Sequence, residues 1–140
     1  MVKPQTQLSI FSKEEIDQAI DYVVVKKCLR SNGVLITVSV NDVSRVLAEK
    51  HGLNYKDIGL RTLVGKRLSY LAKKGLLKLL RESPCRKYKV TSRFFEVRFR
   101  FKYRALRSKP MFYLTPVELT YLMLKQVEGE KNGFNSPIQR

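Results

Sequence analysis

The chain has 140 residues, 44% of them hydrophobic, and a formal charge of +16 at pH 7. Length and apolar content suit one globular domain with a modest core and exclude a disordered chain. The charge far exceeds what solubility requires and opposes compaction by self-repulsion, so an anionic partner is expected.

Residues 1–10 form a polar lead, and Phe11 opens the domain. Ser12 and Glu15 make an S-x-x-E capping box, with Phe11 and Ile16 placed as a hydrophobic staple. Ile16, Ala19, Ile20, Val23, Val24 and Cys28 then recur at helical spacing, and Ser31-Asn32-Gly33 ends the helix. Val34–Val40, VLITVSV, is rich in β-branched residues and reads as a short strand. Asn41 or Asp42 caps a second helix, which stops at Gly52 and turns Val43, Val46 and Leu47 inward. Asn54 and Asp57 offer the next helix start, and that helix runs to Lys74 with Gly75 as a left-handed cap. Leu76–Val90 reads as a hairpin around Glu82-Ser83-Pro84-Cys85.

From Phe95 the chain alternates strictly. Phe95, Val97, Phe99, Phe101 and Tyr103 interleave with Glu96, Arg98, Arg100, Lys102 and Arg104. Period-two alternation predicts a strand with one buried face and one charged face. Stacking of those rings on bases is a competing use. The last helix starts at a box of Thr115 and Glu118, with Pro116 in the first turn and Leu114 and Leu119 as staple. It ends near Glu128, and residues 129–140 are a flexible tail. This helix is apolar almost all round. It either packs on the first helix or joins two copies as a homodimer.

The segment Arg61–Lys109 carries seventeen cations against two acids, Glu82 and Glu96, a net +15. Confinement of the excess to one third of the chain marks an electrostatic footprint. At 100° per residue, Leu60, Leu63, Val64, Leu68 and Leu71 fall on one face of the third helix. Thr62, Gly65, Lys66, Ser69 and Lys73 fall opposite, with Arg61 at the border. Small residues allow close approach to a major groove, and long donors reach base edges and phosphates. Arg61 and Lys66 are the candidates for guanine edges. Thr62 and Ser69 are candidates for bases or phosphates, and Lys73 for phosphate. Arg67 points to the apolar side and is expected to snorkel or to pair with an acid such as Glu49. The hairpin adds Lys78, Arg81, Arg86, Lys87 and Lys89, with Arg86 at the tip as a minor-groove probe. Arg98, Arg100, Lys102 and Arg104 would extend that surface along the alternating strand.

Val64–Leu77, VGKRLSYLAKKGLL, followed by Cys85–Thr91, CRKYKVT, resembles the winged-helix family of DNA-binding domains. Leu68, Leu71, Lys74-Gly75 and Leu76 match its recognition-helix exit, and Tyr88-x-Val90-Thr91 its second wing strand. The resemblance covers roughly Ser12–Thr91. It implies an α+β winged helix, ordered helix, strand, helix, helix and β-hairpin, with the C-terminal strand and helix of residues 92–128 added. It also implies double-stranded DNA as partner and, for some members, a helix beginning at a residue like Thr91. On that helix Phe94, Val97 and Phe101 would face inward. The composition is similar to that of small basic proteins of archaea and their viruses.

No catalytic set is read. His51 is the single histidine, Cys28 and Cys85 stand apart, and no phosphate-binding loop occurs. Glu14, Glu15, Asp17 and Asp21 read as a solvated helix face. A non-enzyme without cofactor or metal is expected. Two isolated cysteines and the lack of a signal peptide or membrane-length apolar run predict a soluble intracellular, nucleoid-associated protein. A transcription regulator is the first expected role, with a sequence-tolerant architectural protein as alternative. RNA binding and a protein-interaction module are the further alternatives.

Overall fold

The computed structural model describes residues 11–30 and 35–135, with side chains to Gly129. The polar lead, the Ser31-Asn32-Gly33 helix end and residues 136–140 lie outside the described residues. The described residues form six α-helices and one three-stranded antiparallel sheet, an α+β fold.

Helix α1 spans Lys13–Arg30 and buries the stripe read from its spacing, Ile16 through Cys28. Phe11 and Ile16 are both buried, as a staple requires. The capping box is only half made. Ser12 Oγ accepts the Glu15 N–H at 3.1 Å, but the Glu15 carboxylate turns to His51 Nε2 at 2.6 Å and Lys50 at 3.2 Å.

Strand β1 is Thr37–Ser39, shorter than the expected Val34–Val40. Ser39 is the reason. Its hydroxyl accepts the Asp42 N–H at 3.1 Å and its own N–H reaches Asp42 Oδ2 at 3.0 Å, a complete capping box. Helix α2, Val40–His51, therefore starts before Asn41. It ends at Gly52, whose φ of 67° is left-handed. Asn54 does not cap the next helix. It closes a turn by accepting the Asp57 N–H at 2.9 Å, and Asp57 caps α3, Ile58–Lys73, from the Leu60 N–H at 3.0 Å. Leu60, Val64, Leu68 and Leu71 are buried and Leu63 is half-buried, so the apolar face is as read. Gly75, φ 83°, turns the chain into the hairpin.

Strands β2, Leu77–Arg81, and β3, Lys87–Val90, complete a sheet of order β1-β3-β2. Its inner side is Val38, Leu77, Tyr88 and Val90, all buried.

The expected strand from Phe94 to Arg104 is corrected. Ser92–Arg98 is helix α4 and Tyr103–Arg107 is helix α5. Phe94 and Phe95, which a strand would place on opposite faces, are both fully buried. Arg100, φ 58°, reverses the chain, and the Phe99 and Phe101 N–H groups both donate to the Phe95 carbonyl. Phe101 thus returns to stack on Phe95, ring centroids 6.2 Å apart. The start of α4 is held from a distance. Glu128 accepts the Ser92 N–H at 3.1 Å and the Ser92 hydroxyl at 2.5 Å. Two aromatic neighbours seeking one core, plus a remote cap, override the local alternation. Val97, inward in both expectations, is exposed.

A 3-10 turn, Met111–Tyr113, leads to α6, Pro116–Asn135, which continues past the expected end at Glu128. Its box is made as read, with Thr115 N–H to Glu118 Oε1 at 2.9 Å and Glu118 N–H to Thr115 Oγ1 at 3.1 Å. That backbone contact and Lys109 hold the Glu118 carboxyl below the usual range. Leu106, Tyr121 and Leu124 belong to the same buried cluster as Ile20 and Val24, so the C-terminal segment closes the common core. No described helix is long and apolar enough to cross a membrane.

Candidate nucleic-acid interface

Leucine and valine at positions 60, 64, 68 and 71 clamp α3 to the core. That rotation presents the opposite side to solvent. The expected outer residues Arg61, Thr62, Gly65, Lys66, Ser69 and Lys73 line one open groove, and Arg86 faces them from the hairpin. The groove holds about 630 Å³. Glu82 is the only acid that lines it.

The donors differ in how firmly they are held. Arg61 is half-buried, and its Nη1 donates to Asn41 Oδ1 at 2.5 Å, which fixes the guanidinium at the start of α2. Thr62 Oγ1 donates to the Ile58 carbonyl at 2.8 Å, so its proton is committed and only its oxygen faces outward. A Cβ placed on Gly65 would meet nothing within 4 Å, so the middle of the groove is open. Lys66, Lys73 and Arg86 form no ion pair among the described residues.

Two arginines of the basic segment are neutralised inside the fold. Arg67 meets Asp17, not Glu49, through Nε at 2.7 Å and Nη2 at 2.8 Å. Its guanidinium also lies over the Tyr70 ring at 4.6 Å. Asp17 holds the Arg67 pKa above its ordinary value. Arg98 pairs with Asp21, through Nε at 3.1 Å and Nη2 at 2.6 Å. Burial pushes the Asp21 carboxyl up, and the Arg98 hydrogen bonds offset part of that. Of the acids read as a solvated face of α1, Asp17 and Asp21 are thus partners for α3 and α4 and Glu15 for α2, while Glu14 is exposed. Arg98 leaves the contact set.

Arg100 and Lys102 on the α4–α5 connection and Arg104 in α5 are exposed and do not line the groove. Lys78, Arg81, Lys87 and Lys89 do not line it either. Lys78 borders a neighbouring recess of about 420 Å³ that runs from Ser69 and Lys73 to Tyr88.

Several residues at the groove were not singled out as contacts from the sequence, among them Ile58 and Tyr70, which line it beside Arg61 and Lys66, and Asn41, which holds Arg61 without lining it. Tyr70, four residues after Lys66 and three before Lys73, was legible from helical spacing. Asn41 was not, because it reaches Arg61 only through the α2–α3 packing. Among the described residues, no three His, Cys, Asp or Glu side chains converge as metal ligands would. Comparison with protein-family models, curated proteins and solved structures finds no match to this chain.

Proposed function

We propose that this chain binds double-stranded DNA, with α3 in the major groove and Arg86 of the hairpin on the backbone or in the minor groove. The observation that carries this is the groove itself. One helix face of small residues and unpaired cations stands opposite a basic hairpin tip, with a single acid between them. The order helix, strand, helix, helix, hairpin, with sheet order β1-β3-β2, supports the winged-helix reading. Duplex RNA fits less well, because the deep, narrow A-form major groove does not admit a helix.

The division of labour follows from the held and free donors. Arg61, oriented by Asn41, is the base-edge reader. A bidentate arginine–guanine contact discriminates by about 1–3 kcal/mol. Lys66, Lys73 and Arg86 neutralise phosphates, which positions the protein without reading sequence. One oriented reader among several phosphate donors describes a transcription regulator of modest sequence preference.

A fluorescence titration against a duplex and an RNA hairpin across a salt series tests this. If Lys66, Lys73 and Arg86 each neutralise a phosphate, log K falls against log salt with a slope of about −3 on the duplex. Equal or tighter binding to the hairpin overturns the reading.

A homodimer through the C-terminal segment would use one exposed apolar surface. Met111, Phe112 and Tyr113 are 73%, 81% and 65% exposed, and they adjoin a recess formed by Leu114, Leu119, Leu122 and Met123. A projecting knob beside a recess is self-complementary under two-fold symmetry. Light scattering of Phe112→Ser against the wild-type chain tests it, and a wild-type mass of one chain at all concentrations rules it out.

A further inference from the structure

The register of the sheet sets Lys78, Arg81, Lys87 and Lys89 apart from Arg86, which lines the groove, although Lys78 also borders the recess beside it. Residues directly opposed in neighbouring strands share a face. Lys78 stands opposite Lys89, and Arg81 opposite Lys87. On the other side of β3, Thr37 faces Lys89 and Ser39 faces Lys87. The alternate positions, Leu77, Tyr88 and Val90, are the buried ones. Lys78, Arg81, Lys87 and Lys89 therefore share the outer face of the sheet, the side turned away from the core.

A bulge puts the fourth cation there. The register passes from Leu79↔Tyr88 to Arg81↔Lys87 and skips Leu80. In an unbroken ladder Leu80 would oppose Lys87 and Arg81 would point to the other side. One extra residue re-aims a side chain in this way.

The result is two successive rungs of opposed like charge. Such opposition destabilises a sheet. Among the described residues no carboxylate forms an ion pair with any of the four. No acid of the described fold offsets this repulsion, and a bound polyanion would reduce it.

We propose that the outer face of the sheet is a second duplex-binding surface, and that the chain holds two DNA segments at once. One segment lies in the α3 groove and the other on the Lys78–Lys89 and Arg81–Lys87 rungs. The proposal rests on the groove reading for its first segment. The chemistry of the ladder selects a duplex backbone. None of the paired residues on that face is aromatic, so single-stranded bases have no ring to stack on. None of the paired residues is a large apolar anchor of the kind that protein partners use, and Leu80 at the bulge, 46% exposed, is a single apolar side chain among four cations. The charges form a grid about 5 Å across the strands and about 7 Å along them, which suits phosphates and carries no sequence information.

The test captures a second, fluorescent duplex on a first, immobilised one. It compares the wild-type chain with Lys78→Gln/Lys87→Gln/Lys89→Gln and with Arg61→Ala/Lys66→Ala. Wild type is expected to capture the second duplex. The triple variant is expected to keep its affinity and salt slope for a single duplex but to lose capture by about tenfold or more. It is also expected to melt no lower than wild type, since opposed charges are removed. If the ladder instead served the same duplex as the groove, the single-duplex slope would shrink by about 3 and the proposal falls. Unchanged capture by the triple variant also overturns it, and leaves bridging to a dimer. Displacement of the second duplex by poly-glutamate more readily than by competitor DNA overturns it in favour of an acidic protein. The double variant separates the two readings. If it matches wild type while the triple variant loses binding, the groove reading has failed and the ladder is a lone surface, which ends the two-segment proposal too.

Discussion

At Gly65 the requirements of stability and of contact diverge. A glycine inside a helix costs about 0.5–1 kcal/mol relative to alanine, and here a methyl group would meet nothing within 4 Å. Gly65→Ala is therefore expected to raise the stability of the chain by about 1 kcal/mol in urea denaturation. It is expected to weaken duplex binding in the same preparation, because it fills the open middle of the groove. A variant that gains stability and binds duplex as before would remove the groove from the interface. Asp17 makes the opposite case. It is 8% exposed and receives Arg67 in two hydrogen bonds, with Arg98 at 4.0 Å. Asp17→Ala leaves the Arg67 guanidinium without its carboxylate, while Arg98 keeps Asp21, and is expected to cost about 3 kcal/mol. Glu15 sets a pH dependence. The hydrogen bond from His51 holds its carboxyl below the ordinary range; burial, the next largest effect, opposes it, and Lys50 adds a smaller lowering. A depressed carboxylate stabilises the fold fully above the unfolded value of about 4.3, and the contribution is lost as pH falls through the folded value. The urea midpoint of the wild-type chain should drop, as pH falls below about 4.3, by more than that of Glu15→Gln. Equal drops would mean that the contact contributes nothing.

At the scale of elements, α4 depends on a cap supplied from α6. Glu128→Gln weakens the two hydrogen bonds that hold Ser92, and loss of a helix cap costs about 1 kcal/mol. Hydrogen exchange over residues 92–98 should accelerate selectively. Uniform acceleration along the chain would place Glu128 in the global fold instead of in this cap. The end of the same helix carries a conformational cost. Arg100 occupies the left-handed region, where glycine is the usual residue. Arg100→Gly is expected to stabilise the chain by up to about 1 kcal/mol, the more flexible unfolded chain offsetting part of the gain.

For the whole molecule, charge is sorted by the fold. The acids of the N-terminal half pair inward or across helices, as Asp17 and Asp21 do with Arg67 and Arg98 and Asp42 does with Lys27. Among the described cations without an ion pair, Arg61, Lys66, Lys73 and Arg86 lie at the groove and Lys78, Arg81, Lys87 and Lys89 on the sheet face, while Arg100, Lys102 and Arg104 are exposed elsewhere. Self-repulsion between them is screened by salt and by bound polyanion. Added duplex is therefore expected to raise the melting temperature at low salt by more than it does at high salt. A shift independent of salt would point to a contact that charge does not drive.

The sequence by itself determined the local elements and the sided helix. Leu60, Val64, Leu68 and Leu71 at helical spacing fix which side of α3 is buried, so its outer residues could be named before any contact was known. Caps made of neighbouring residues, Thr115 with Glu118 and Gly75 after Lys74, were legible for the same reason: the partners lie within one turn. Tertiary structure decided whatever depends on partners far apart in the chain. Phe94–Arg104 alternates like a strand, yet Phe95, Tyr121 and Glu128 make its first part a helix, because burial of adjacent rings in one core outweighs a period of two. Arg98 reads as a surface cation until Asp21, 77 residues away, neutralises it. Which face of the hairpin carries its lysines was settled by register and by one bulge at Leu80, features that strand pairing sets and that no residue of β2 or β3 encodes alone.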